Sequence, residues 1–297
     1  MWIWLVLVYG VLKGCREICK KKALETSSSI EVLLIYTLVS FLLVCPDAKN
    51  AMGMEPKFFI LVALKSFIIF LAWILSFVAI RKLPLSMYGV LDLSRVLFAT
   101  LLGVTVLGET LSPIHIVGLI LVCAGLLLLK FKPVYEKEKI ETGKEKKYAA
   151  SIIIVALISC MLNSISGLMD KILMKDINSS QLQFWYMLFL SILYIIYALL
   201  GRQKISLKRA LTNKWIWILS IMFVIADRAL FVANSYPDSK VTVMTLIKQS
   251  GSIVSILAGK FIFKEKNVTH KLICAFIIIV GIVMGALIQD IISVPVA

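Results

Sequence analysis

Six ionisable residues of this 297-residue chain stand inside long apolar runs: Lys65, Asp92, Arg95, Asp227, Arg228 and Lys248. A charged group at bilayer depth costs on the order of 3 kcal/mol on insertion scales, so each needs a partner or a wet cavity. Asp92 and Arg95 are three residues apart, which puts them on one helix face where they can pair. Gln249 follows Lys248, and Ser252 lies one turn further on, so the same run carries a polar patch. Charges of both signs in one patch suit a zwitterion or a carboxylate. The competing reading is structural, since buried Asp–Arg and Asp–Lys pairs can fix helix register and do nothing else. We place Asp92, Arg95, Lys248 and Gln249 in a candidate binding cavity. Lys65 joins them, because a lysine in mid-run snorkels to the interface only with difficulty. Asp227 and Arg228 are adjacent and point to different faces, so at least one looks inward.

The elements that hold these residues are apolar stretches. The chain is 60% hydrophobic with a mean hydropathy of +0.96, which belongs to a polytopic membrane protein. Ten apolar segments can be marked, at 2–19, 30–45, 58–80, 85–107, 114–129, 148–169, 182–200, 215–235, 241–263 and 272–289. Several approach the ~20 residues that span a bilayer. They are too long for the roughly 10-residue strands of a membrane barrel, so the fold class is all-α. The first segment is the weakest, because Lys13, Arg16 and Glu17 interrupt it.

The hydrophilic stretch 130–147 divides the segments into two sets of five. A shift of 156 residues lays Glu109 on Glu265 and Lys248 on Asp92, and it preserves a hairpin with a short turn. A shift of 151 lays 19–28 over 170–179. The expected organisation is therefore a first repeat at 1–129, a charged linker at 130–147 and a second repeat at 148–289. Five is odd, so the second repeat enters the membrane inverted, a common construction among transporters. Glu109 and Glu265 read as turn-closing residues. Gly103, Gly118, Gly125, Gly259 and Gly281 read as close-packing positions. Trp73, Tyr88, Trp185 and Tyr186 read as core or interface anchors more readily than as cavity wall.

The chain resembles the drug/metabolite transporter superfamily, EamA type, over nearly its whole length. The resemblance rests on Tyr9-Gly10 with Lys21-Lys22-Ala23-Leu24, and on the hairpin 79–129 with its Leu-Gly-Glu-Thr-Leu-Ser turn at 107–112. Gly118, Gly125, the run Gly167-Leu168-Met169-Asp170-Lys171, and Glu265 with Gly281 complete it. It implies ten transmembrane helices in two inverted repeats, a central cavity, alternating access and small-metabolite cargo such as amino acids. The chain departs from the family in lacking a mid-helix proline in segments four and nine, and in carrying Lys264 before Glu265 where the first repeat has Gly108.

Charge distribution sets the orientation. Loops after the odd-numbered segments carry 20 Lys and Arg against 5 after the even-numbered ones. The positive-inside rule then puts 130–147 in the cytoplasm and both termini outside. The family resemblance implies the opposite, and the bias observed in this chain is given precedence here. The formal net charge of +15 is spent largely in these loops, where it serves topology and anionic headgroups, so no nucleic-acid partner is expected.

Six scattered cysteines and two histidines, without a C-x-x-C pair, argue against a metal site or disulfide framework. No nucleotide-binding G-x-x-x-x-G-K-[ST] stretch is present, so no cofactor is expected and energy would come from exchange or an ion gradient. The leading expectation is a secondary transporter, an exporter or exchanger, of a small polar metabolite such as an amino acid or organic anion. It would sit as a multi-pass protein in the cell's inner (plasma) membrane, its partners being the small-molecule substrate, the lipid bilayer and a coupling ion or counter-substrate. An alternative is export or flipping of hydrophobic or lipid-linked cargo. An alternative of another class, an intramembrane enzyme or structural membrane partner, has no clustered His/Asp or Cys/His set to support it, so the chain is not read as an enzyme.

Overall fold

The computed structural model describes residues 2–107, 113–131, 143–201, 205–236, 244, 247–265 and 268–292. Among them there is no strand. In chain order the helices are α1 (Trp2–Thr26), α2 (Ser29–Val44), α3 (Ala48–Ala51), α4 (Pro56–Lys82), α5 (Leu85–Asp92), α6 (Arg95–Leu107) and α7 (Pro113–Phe131). They continue with α8 (Gly143–Leu173), α9 (Ser179–Leu200), α10 (Leu207–Thr212), α11 (Lys214–Ser235), α12 (Ser250–Phe261) and α13 (Val268–Ile292). Among the described residues, six stretches are long and apolar enough to cross a membrane: Ser29–Ala51, Pro56–Lys82, Leu85–Val106, Ala150–Leu173, Ser179–Leu200 and Lys214–Ser235. Shorter apolar helices lie at Ile116–Leu128, Ser250–Phe261 and Val268–Gly281.

Local chemistry explains several boundaries. Ser28 caps α2 in a capping box: its Oγ accepts the Glu31 N–H at 3.3 Å and Glu31 accepts the Ser28 N–H at 2.8 Å. Asn178 and Gln181 build the same box at the start of α9, with bonds of 2.8 and 3.0 Å. The two boxes occupy corresponding places in the two halves. Pro56 opens α4 and Pro113 opens α7, where the missing N–H is not needed. The turn 108–112, with Glu109 and Ser112, lies outside the described residues, as do most of 130–147 and Asn267.

The helices pair in a pattern with an approximate two-fold. Helix α1 packs on α11 and α12, and α8 packs on α4 and on α5–α6. Helix α2 packs on α9 and α11, α9 packs on α4, α5 lies against α12, and α7 lies against α13. Exchanging α1 with α8, α2 with α9, α4 with α11, α5–α6 with α12 and α7 with α13 returns the same contacts. The chain is thus an all-α polytopic membrane protein of two inverted repeats. Close approach is bought by glycine: a Cβ on Gly281 would lie 2.5 Å from the Gly118 carbonyl, and one on Gly251 2.5 Å from the Gly10 carbonyl.

Two differences from the sequence expectation affect the site. The first segment does not stop at residue 19, because α1 runs on to Thr26 through Lys13, Arg16, Glu17 and Lys20, all four buried. The fourth segment is not one helix. It breaks at Leu93–Ser94, where Leu93 and Ser94 donate to Val90 and Leu91 in tight i→i−3 turns. No proline or glycine causes this. Helix α8 supplies bonds to carbonyls around the break, from Cys160 Sγ to Leu91 O at 3.7 Å and from Ser164 Oγ to Arg95 O at 3.1 Å. Gln249 makes the corresponding turn before α12. Broken helices at matching places in the two halves are where transporters commonly keep their binding groups.

Candidate functional site

A cavity of about 220 Å³ opens between the two halves. Helices α1, α4, α6, α8 and α11 wall it, with Lys248 and Gln249 from the turn before α12. Its aromatic floor is a cluster in which Tyr36 stacks on Trp73 at 5.1 Å, with Phe223 edge-on at 5.2 Å to each. Tyr9, Tyr186 and Phe231 add further ring surface.

The rest of the wall is ionic. Asp92, at the end of α5, sits behind the lining and binds two cations. Lys13 Nζ lies 2.6 Å from its Oδ2, and Arg95 Nε lies 2.6 Å from its Oδ1. The Arg95 contact lacks hydrogen-bond alignment, so it is a charge contact across the helix break. Ser252 Oγ donates to Asp92 at 3.1 Å, and Lys13 also reaches Gln249 Oε1 at 3.5 Å. Arg16 pairs with Asp227 at 3.2 Å and stands over the rings of Tyr9 and Phe223 at 5.5 and 5.1 Å. The Tyr186 hydroxyl donates to the second Asp227 oxygen at 3.3 Å. Lys65 pairs with Asp170 at 3.1 Å and lies 3.9 Å above the Tyr186 ring. Lys20 pairs with Glu17 at 2.7 Å. Among the described residues, Lys248 and Lys171 have neither an ion pair nor a hydrogen bond, and both line the cavity.

The residues singled out from the sequence separate here. Arg95, Lys248, Gln249, Lys65 and Asp227 line the cavity together, with Asp92 immediately behind Arg95 and Lys13. Arg228 points elsewhere. It donates to Gln183 at 2.6 Å and to Ser180 at 2.8 Å, and pairs with Asp47, stitching α9 and α11 to the α2–α3 connection. Of the adjacent pair, Asp227 is the one facing the cavity. Trp73 and Tyr186 belong to the wall. Tyr88 instead bonds Ser76 within the core at 2.7 Å, and Trp185 donates to Ala51 O at 2.9 Å. Sequence reasoning left out Lys13, Arg16, Glu17 and Lys20. Their spacing of three, one and three residues puts all four on one helix face, a stripe that marks an inward-facing side of α1. Asp170 was also left out, and its partner Lys65 lies too far away in sequence to announce it.

Glu265 closes more than its own hairpin. Its carboxylate crosses to the other half and accepts the N–H groups of Leu85 and Ser86 at 2.5 and 3.1 Å, together with the Ser86 hydroxyl. Lys271 lies beside it, 2.7 Å from Ser86 Oγ. Among the described residues no cluster of three His, Cys, Asp or Glu side chains could hold a metal ion.

Comparison with known proteins agrees with this architecture. A solved structure described as "Crystal structure of protein" superposes with a TM-score of 0.68 at 13% sequence identity, covering 98% of this chain and 98% of that one. At that identity the likeness speaks for the fold alone. No curated protein matches significantly. The profile of the EamA-like transporter family matches residues 1–131 and again 150–286, and a match over both halves of a two-fold helical membrane protein shows that the chain belongs to the EamA-like transporter family.

Proposed function

We propose that this transporter moves a small polar metabolite, an amino acid or organic anion, by alternating access around the cavity between residues 1–129 and 148–289. The observation that carries the reading is the wall itself. The cavity is enclosed by helices of both halves and lined by Arg16, Lys65, Arg95, Asp170, Asp227 and Lys248. Such a wall would solvate a polar cargo and would be a poor host for a lipid-linked one. At about 220 Å³ the cavity falls below the usual ~300–1,000 Å³ of drug-sized sites, which fits a metabolite. The wall pairs Arg16–Asp227 and Lys65–Asp170 both join one half to the other, so rocking of the halves would exchange these contacts. Exchange for a counter-substrate or coupling to an ion would drive the cycle, and the inner (plasma) membrane is the proposed location.

The test is counterflow uptake in proteoliposomes loaded with amino acids or organic acids. Uptake of at least one class is expected, with loss on Arg95→Ala and on Lys248→Ala. Unchanged uptake in both variants would remove the site assignment.

A further inference from the structure

We propose that the cavity is a dianion site, built for a molecule carrying two negative charges such as a dicarboxylate or a phosphate monoester, with Lys248 and Arg95 as its docking cations. This rests on the transport reading above and narrows its cargo.

The argument is a charge count. Arg16 is matched by Asp227, Lys65 by Asp170 and Lys20 by Glu17. Lys13 and Arg95 share the single carboxylate of Asp92, which leaves one positive charge over. Lys248, without a partner among the described residues, leaves a second. Lys171 is less deeply surrounded by protein than Lys248 and keeps more of its hydration. Two enclosed positive charges therefore face the cavity without compensation, and a low-dielectric enclosure makes them attract an anion strongly. A zwitterion adds no net charge and would leave both uncompensated, whereas a dianion neutralises both.

Hydrogen-bond geometry points the same way. Arg95 Nε touches Asp92 by charge without hydrogen-bond alignment, and the guanidinium also lies against the Cys160 thiol. Its remaining donors and the Lys248 ammonium can take carboxylate or phosphate oxygens, the chemistry in which guanidinium forks and ammonium groups excel. The ring cluster of Tyr36, Trp73 and Phe223 in the same lining accommodates a short carbon body.

Purified full-length protein would be melted in detergent with succinate, glycerol 3-phosphate, alanine or no addition, and the wild type compared with Lys248→Gln and Lys248→Arg. Stabilisation by succinate or glycerol 3-phosphate and none by alanine is expected, and whichever of the two acts tells dicarboxylate from phosphate ester. Loss of one charge-assisted contact should weaken that ligand by about tenfold or more in Lys248→Gln, with most of the affinity kept in Lys248→Arg. Comparing the variants separates specific binding from a general salt effect. Stabilisation by alanine alone, by no probe, or equally in wild type and Lys248→Gln overturns the proposal. Proteoliposomes keep the two readings distinct: exchange of alanine without exchange of either dianion sinks only the dianion site, while absence of exchange for every solute sinks the transport reading.

Discussion

Glu265 Oε1 accepts the backbone N–H of Leu85 at 2.5 Å across 180 positions of sequence. Helix α5 starts just after Pro84, which has no side chain able to cap it, so its first N–H groups lack partners from its own end. A carboxylate from the other half meets them and favours the positive end of the helix dipole. In Glu265→Gln the amide would set an N–H against the Ser86 donors or Lys271. A loss on the order of 1–3 kcal/mol is expected, read as a lower melting temperature of the purified protein. An unchanged melting temperature would show that water replaces the carboxylate without penalty.

Beside it, Lys264 has φ of 51°, the left-handed region that costs a side-chain-bearing residue roughly 1–2 kcal/mol. The corresponding first-repeat residue is Gly108. Lys264→Gly should therefore stabilise the protein by about 1 kcal/mol despite the greater freedom glycine gives the unfolded chain. A raised melting temperature in the same assay is the expected result, and a lowered one would contradict it.

Arg16 is buried, Asp227 keeps 13% of its side chain exposed, and the two meet across the halves. Removing one partner strands the other, at roughly 3–5 kcal/mol by analogy with buried pairs elsewhere. Arg16→Gln and Asp227→Asn should each destabilise strongly, and the double variant by clearly less than the sum. A double-mutant cycle on thermal or denaturant unfolding measures this coupling, and additive losses would deny it.

Arg228 offers the contrast. Its partners are Gln183, Ser180 and Asp47, away from the cavity. Arg228→Gln should lower stability and leave the half-saturation for solute exchange in proteoliposomes within about twofold, whereas Asp227→Asn should change it. A large shift in half-saturation with Arg228→Gln would put that residue in the binding machinery.

Much of the fold could be read from residue patterns. The apolar runs located the membrane helices, and Ser28, Pro56 and Asn178 mark helix starts by local chemistry that needs no tertiary context. The break at Leu93–Ser94 could not be read in this way, because no proline or glycine encodes it. It depends on Cys160 and Ser164 of α8 bonding carbonyls around the break, and such partners are set by packing. The site shows the same division. Asp92 and Arg95 announce each other by spacing, while Arg16 and Asp227 are joined only when α1 lies on α11. The extent of α1 was misjudged for a related reason: charges that end a lipid-facing helix do not end one whose charged stripe faces a cavity.

The two cross-half ion pairs of the cavity wall share a polarity, while Arg209–Glu31 and Arg228–Asp47 outside it have the reverse one. Arg16 and Lys65 both come from the first repeat, and Asp227 and Asp170 both come from the second. Two copies of the first repeat would leave Arg16 and Lys65 without these carboxylates, and two copies of the second would leave Asp227 and Asp170 without these cations. The halves are therefore complementary at the cavity and not interchangeable. Expressed as separate polypeptides, they should associate with each other in preference to themselves.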